Sequence, residues 1–283
     1  MRTGNGNNCR RKRHDAKEDR PAIWIGYGKL VKLHRERSGL TQQQLAEAMG
    51  YSVEQVASVE QGRRPAKDTF TEAAERALEA QGTLSVLQDD VDLAKLPSFF
   101  VDFALIEAEA VSRFSYDPLL VPGLLQTEEY ARTLFTAHCP PLGEDLIERH
   151  VEARLHRQKL LTRTPMVDVS FIIGETALRN PVLGGDAFDA QLRHVLAQSR
   201  LRNVEIQVMP ADRGFHPGLD GSFVVLETLG HQRVGYVESQ EVGTVVTDPA
   251  EVSTFALRYG KLRSQALNPE ESARFIERVA GEA

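Results

Sequence analysis

The chain has 283 residues, a formal net charge of −6, 41% hydrophobic and 26% charged residues, and two cysteines. That length suits two domains better than one, and the composition is that of an ordinary water-soluble protein. No apolar run approaches the roughly 18 residues a membrane span needs, and no apolar stretch follows the basic N-terminus as it would in a secretory leader, so no membrane partner is expected. Cys9 and Cys139 form neither a framework of bridges nor a metal-ligand spacing, which fits a reducing, cytoplasmic setting.

Residues 1–20 carry seven Lys/Arg and three acids with almost no apolar side chains, which predicts a disordered basic tail, either an arm that follows DNA or a simply solvated segment. Residues 21–82 show four short helical patterns, "GYGKLVKLHRERSGL", "TQQQLAEAMG", "VEQVASVEQG" and "KDTFTEAAERALEAQG", each ended by Gly. Residues 83–96 read as a linker, and Pro97 as the natural start of a helix in "FFVDFALIEAEA". From 97 to 283 the texture is mixed. "VSRFSYDP" predicts a short strand, Thr127 caps a helix from Glu128, and "GEDLIERHVEARLHRQKLLTR" is a long amphipathic helix. "MVDVSFII", "NVEIQVMP", "GSFVVLET" and "RVGYVES" are β-branched runs bounded by Gly, Asn and Pro, hence strands, the last two forming a hairpin. Helices "DAFDAQLRHVLAQS", "PAEVSTFALRYGKLRSQAL" and "NPEESARFIERVA" complete an α+β domain with a small sheet.

The negative charge is segregated. Residues 21–82 hold eight bases and eight acids, whereas the 201 residues after them hold 19 bases and 29 acids. DNA affinity depends on local phosphate neutralisation, so the total of −6 does not exclude it.

Within "TQQQLAEAMGYSVEQVASVEQGRR", Thr41 with Gln44 and Ser52 with Gln55 each stand in the spacing of a capping box, two helix starts eleven residues apart. Gly50 falls where the intervening turn needs a left-handed residue, Ala46 is small at the crossing, and Leu45, Met49, Val56 and Val59 point inward. The predicted product is a helix-turn-helix. These residues, with "HRERSGL" before them, resemble the XRE-type, lambda-repressor-like helix-turn-helix family over about residues 25–80. The resemblance implies an all-α, five-helix domain in which Arg35 and Glu60 form a structural pair. It also implies that Gln42 reaches a phosphate at the helix start, and that the second helix faces base edges in the major groove of double-stranded DNA. On that helix Val53 suits a thymine methyl, Glu54 a cytosine amino group and Ser58 a base or phosphate, flanked by the cap residues Ser52 and Gln55. Arg63, Arg64 and Lys67 follow as phosphate clamps. His34 stands where the family has a large apolar residue and reads as a histidine at the edge of the core.

The C-terminal part, through "LVPGLLQTEEYAR", "ARLHRQKLL", "GETALRN", "QLRHVLAQSRLRNVEIQVMP" and "GFHPGLDGSFVVLE", resembles a domain of unknown function that follows such helix-turn-helix domains in many actinobacterial regulators. That resemblance implies a transcription factor of the developmental or antibiotic-production kind, with a small partner protein encoded nearby. Candidate ligand-binding residues are Glu175 after a strand, His216 in a Gly-rich loop, and Tyr236 and Glu238 on a strand, which would have to converge on one pocket. Gln126 reads as satisfying backbone groups in the "PGLLQT" loop, and Arg154, Arg157 and Gln158 as a solvated or interface surface. No nucleophile elbow, zinc-protease helix, phosphate loop or Cys/His set is present. The expectation is therefore a non-enzymatic regulator with no cofactor or metal, binding DNA as a homodimer and sensing a small molecule or a protein partner. The alternative is an antitoxin-like interaction module whose DNA binding only autoregulates its own operon.

Overall fold

The computed structural model describes residues 21–282 apart from 97, 181 and 241. The predicted basic tail and the helix start at Pro97 lie outside the described residues. The chain divides into two compact units, the first ending at Val91 and the second beginning at Asp92.

The N-terminal unit is built from α1 (Ala22–Arg37), α2 (Gln42–Met49), α3 (Val53–Glu60) and α4 (Asp68–Leu78), with α5 (Gln88–Leu93) running across the division. Both capping boxes form: Thr41 accepts from the Gln44 N–H while Gln44 returns to the Thr41 N–H, and Ser52 and Gln55 repeat the exchange. Each box satisfies two helix-start donors that would otherwise have no partner. Gly50 closes α2 in the left-handed region at φ 72°, so the chain turns within two residues and α3 begins at Val53. Leu45, Ala46, Met49, Val56 and Val59 are all buried, with Trp24, Tyr27 and Val31 of α1 completing the core.

Two features depart from the expected pattern. Helix α4 stops at Leu78 rather than continuing to Gly82, because Glu79 and Gln81 take positive φ. Glu75 explains the turn: its carboxylate accepts the N–H groups of Gly82, Leu84 and Ser85 at 2.9, 2.7 and 2.8 Å. Burial works against the ionised form, but these backbone donors outweigh it and hold the carboxyl below its ordinary range. The linker expected over 83–96 is likewise largely structured. Residues 85–87 form a 3-10 turn, α5 follows, and Leu84 and Val91 are fully buried, so apolar anchors fix the stretch expected to be a connection.

Helix α1 approaches α3 closely at Gly28. A Cβ there would lie 2.7 Å from the carbonyl oxygen of Glu60 and closer still to that of Val59. Because the obstacle is backbone, Gly28→Ala is expected to destabilise this unit at the upper end of the roughly 1–3 kcal/mol typical of overpacking. A shift in the urea midpoint with the denaturant slope unchanged is the measurement, and an unaltered midpoint would refute the close approach.

In the C-terminal unit α6 (Ser98–Ala108) leads into β1 (Ala110–Asp117), then α7 (Glu128–Thr136) and α8 (Glu144–Arg157). After these come β2 (Asp168–Gly174), α9 (Glu175–Arg179), α10 (Gly185–Gln198), β3 (Val204–Met209), β4 (Phe223–Thr228), β5 (Arg233–Ser239) and β6 (Val242–Val246). Helices α11 (Pro249–Gln265) and α12 (Pro269–Glu282) end the described chain. The six strands form one mixed sheet in the order β3-β2-β1-β4-β5-β6, parallel across β1, β2 and β3 and antiparallel from β1 through β6. The sheet is larger than expected because β6, a short run of "VGTVV", carries no strong apolar alternation and has no fully buried residue.

Register sorts the two faces of the sheet. Ser115 pairs with Val224, which pairs with Tyr236, so Arg113, Ser115 and Asp117 of β1 share a face with Val224, Leu226, Tyr236 and Glu238. That face holds the larger core, with Phe171, Phe103, Tyr130, Phe188 and Leu192. Tyr116, Ile172, Phe223 and Val225 face the other way, against Val252, Tyr259 and Leu262 of α11. The β3 edge is closed by the chain itself: the Val208 N–H donates to Ser272 Oγ at 2.9 Å and the Val208 carbonyl accepts from the Leu267 N–H at 2.9 Å.

Candidate nucleic-acid interface

One carboxylate fixes the recognition helix. Glu60, buried at the end of α3, accepts from Arg35 Nε at 2.5 Å and Arg35 Nη2 at 3.1 Å, a two-pronged pair between α1 and α3. The same guanidinium donates to the Leu40 carbonyl at 2.9 Å in the α1–α2 turn. Hydrogen bonding to Glu60 raises the Arg35 pKa further above its ordinary value, against the opposing effect of burial. Gln42 joins the cluster, its Nε2 donating to Glu60 Oε2 at 2.7 Å. The Gln42 side chain, expected at a phosphate, here has its amide turned inward, where the carboxylate is a stronger acceptor than water. Three helices thus meet on Glu60, and the pair is structural as the resemblance implies. His34 is half-buried, with Nε2 2.8 Å from Thr83 Oγ1.

Outward from this anchor, Ser52, Glu54 and Gln55 are exposed, and Val53 and Ser58 are half-buried. Ser52 and Gln55 are engaged in the cap through the Ser52 hydroxyl and Gln55 Oε1, an arrangement that leaves the Gln55 amino group outside it. The carbonyl of Ser58 accepts the N–H groups of Arg63 and Arg64 at 2.9 and 3.4 Å, folding the chain back so that both arginines follow directly on the helix. Arg63, Arg64 and Lys67 are all exposed. The segment therefore presents a short helix rim with one acid, two cap residues and a hydroxyl, bordered by three cationic side chains.

The four candidate ligand residues of the C-terminal unit do not converge. Glu175 accepts the Ala211 N–H at 3.0 Å and Arg179 Nε at 2.7 Å, tying the end of β2 to the chain after β3. The Ala211 hydrogen bond is the main reason its pKa is lowered. His216 is buried, its Nδ1 accepting the Gly218 N–H at 3.2 Å, and it packs edge-on to Tyr116. Tyr116 lies on the α11 face of the sheet. Tyr236 and Glu238 lie on the opposite face and do meet, the phenol donating to Glu238 Oε2 at 3.0 Å. Burial and the neighbouring Glu238 push the Tyr236 hydroxyl well above its ordinary pKa.

Around that pair stands a polar cluster that sequence reasoning missed. Glu107 of α6 is buried and accepts from Arg113 Nε at 2.7 Å and Arg157 Nε at 2.5 Å. Burial opposes its charge, but the two guanidinium groups prevail and lower its pKa. Arg113 also donates to Ser115, and Ser115 donates to Asp117 Oδ2 at 2.7 Å. Burial raises the Asp117 carboxyl more than Arg113 and Ser115 bring it down. Arg154 donates to Gln126 Oε1 at 2.7 Å and lies over the Phe135 ring, while Gln158 Nε2 donates to the carbonyls of Gly123 and Gln126. Arg154, Arg157 and Gln158, expected to form a solvated or interface surface, instead hold the "PGLLQT" loop and Glu107. Gln126 does satisfy backbone, its Nε2 donating to the Val121 carbonyl at 2.8 Å. The signal lay in the alternation Arg113, Ser115, Asp117, which sets three polar side chains on one face of a strand, and in the Arg154–Arg157 spacing of three.

The helix-turn-helix domain family matches residues 27–86, and the domain of unknown function DUF5753 matches residues 100–278. The geometry and the first match together define a helix-turn-helix DNA-binding regulator. The second match spans more than half of the 283 residues, and the chain belongs to the DUF5753 family. Neither a curated protein nor a solved structure matches it. No helix among the described residues is long and apolar enough to cross a membrane.

Proposed function

We propose that this protein is a sequence-specific, XRE-type transcriptional regulator of the actinobacterial kind, acting in the cytoplasm. It binds a partly palindromic operator as a homodimer, with one recognition helix per half-site, and its C-terminal unit senses a ligand or a small protein partner. The observation that carries this reading is an exposed α3 rim followed at once by the exposed Arg63, Arg64 and Lys67, on a helix fixed by the buried Arg35–Glu60 pair. With eight bases balanced by eight acids over residues 21–82, one helix-turn-helix segment has little non-specific electrostatic affinity. Two half-sites one turn apart supply what a single unit lacks. The C-terminal unit then acts by favouring one arrangement of the two recognition helices over another. It is a binding unit rather than an enzyme, a reading supported by the separate structural hydrogen bonds that occupy Glu175 and His216.

Gel-shift titration on the DNA upstream of its own gene, at two salt concentrations, tests this. The double substitution Arg63→Ala/Arg64→Ala is expected to weaken binding to all sequences alike and to reduce the log–log salt slope by about 1.8 per unit bound. Glu54→Ala is expected to relax preference at one base position by about 1–3 kcal/mol while leaving the slope unchanged. Equal binding by wild type and both variants would remove α3 from the interface.

A further inference from the structure

The polar cluster beneath α6 and α8 has an uneven charge economy. Glu107 takes up both Arg113 and Arg157, leaving three charged side chains of the same sheet face and its covering helices without an opposite charge in ion-pair contact among the described residues: Arg154, Asp117 and Glu238. Arg154 is held by a neutral amide oxygen and an aromatic ring, Asp117 by a hydroxyl, and Glu238 by a phenol. A fold that merely needed stability would pair such charges or replace them with apolar groups. Arg154 is only half-buried, so its remaining N–H donors reach solvent, and Glu238 is exposed. The group is thus reachable from outside.

Register sets Asp117 and Glu238 on the same sheet face, and Glu238 acts on both of the other charges. Burial and the neighbouring Arg157 bring the Arg154 guanidinium down to about 10, with Glu238 pulling in the opposite direction, and Glu238 adds to the rise at Asp117. A plain anion bound at Arg154 would lie in the field of Glu238, and a plain amine bound at Glu238 would meet Arg154. A molecule carrying both charges satisfies both.

We propose that this cluster is a binding site for a small zwitterion of the free amino-acid class, its carboxylate on Arg154 and its ammonium group on Glu238 and Asp117. Gln126 orients the guanidinium and Tyr236 the Glu238 carboxylate, while the Phe135 ring beneath Arg154 offers an apolar wall. The proposal rests on the sensing role given above to the C-terminal unit and names the chemistry of what is sensed.

Thermal melting of the full chain with each of the twenty free amino acids at about 10 mM is the test, this being well above a millimolar dissociation constant. At least one free amino acid is expected to raise the melting temperature by several degrees, whereas its N-acetyl and its carboxamide derivatives do not. Arg154→Met and Glu238→Gln are each expected to abolish the response; Glu238 is exposed, so its variant folds whatever Arg154 contributes to packing. No response to any free amino acid overturns the site, as does an equal response to the capped derivatives or one that survives both substitutions. DNA binding by the same preparations separates this proposal from the regulatory one. Intact operator binding without an amino-acid response removes the site alone, and an amino-acid response that leaves operator affinity unchanged removes the sensing role while keeping the site.

Discussion

Replacing Glu107 with alanine is expected to destabilise the C-terminal unit by about 3–5 kcal/mol, toward the top of that range. Glu107 is 1% exposed and is the shared acceptor of Arg113 and Arg157. Its loss leaves two guanidinium groups, one buried and one half-buried, without their counter-charge. The cost falls on stability rather than on an isolated contact, because Arg113 is also the donor that orients Ser115 and, through it, Asp117. Glu107→Gln keeps the shape and removes the charge, and its effect carries a pH signature. The Glu107 pKa is lowered in the folded protein, so its contribution is complete above the ordinary glutamate value near 4.3 and is lost as pH falls through the lowered one. The stability difference between wild type and Glu107→Gln should therefore be constant at neutral pH and shrink in acid. Calorimetric unfolding from neutral to acid pH measures it; a difference independent of pH would show that the ionised carboxylate is not what holds the two arginines.

The second large effect is expected at Glu60. Glu60→Ala breaks the buried pair to Arg35 and removes the acceptor of the Gln42 amide in one step, costing the N-terminal unit about 3–5 kcal/mol. Replacing both partners with apolar residues, Arg35→Met with Glu60→Leu, is expected to restore much of that stability, since neither charge is then left buried alone. Urea titration followed by peptide-resolved hydrogen exchange distinguishes the two variants, with loss of protection in α3 confined to the single substitution. A loss for Glu60→Ala below about 1 kcal/mol would place the pair among solvent-screened surface bridges and remove its role in fixing α3.

The N-terminal unit was legible because its rules are local. Each capping box lies within four residues, Gly50 answers a single dihedral requirement, and the inward side chains repeat at helical spacing. What escaped there depends on distant partners: Gly28 is small because the Val59 and Glu60 carbonyls lie against it, and Gln42 points inward because Glu60 arrives eighteen residues later. In the C-terminal unit the elements were visible but their faces were not. Alternation in "VSRFSYD" marks one face as polar, and a polar face ordinarily meets water. Here α6 and α8 cover it, bringing Glu107 to Arg113 and stacking Phe103 on Tyr236 at 4.0 Å. Only the strand order and register reveal that Tyr236 and Glu238 share that side while His216 packs on the other.

Trp24 is the only tryptophan in the sequence, buried in α1, and its indole N–H donates at 3.1 Å to the carbonyl of Val91, the last residue of the N-terminal unit. The protein thus carries a native optical gauge at the point where its chain passes from one unit to the next. Emission excited at the indole reports the surroundings of that junction. An effector that binds the C-terminal unit and changes that colour or quenching has altered the surroundings of an indole in the unit that carries the helix-turn-helix.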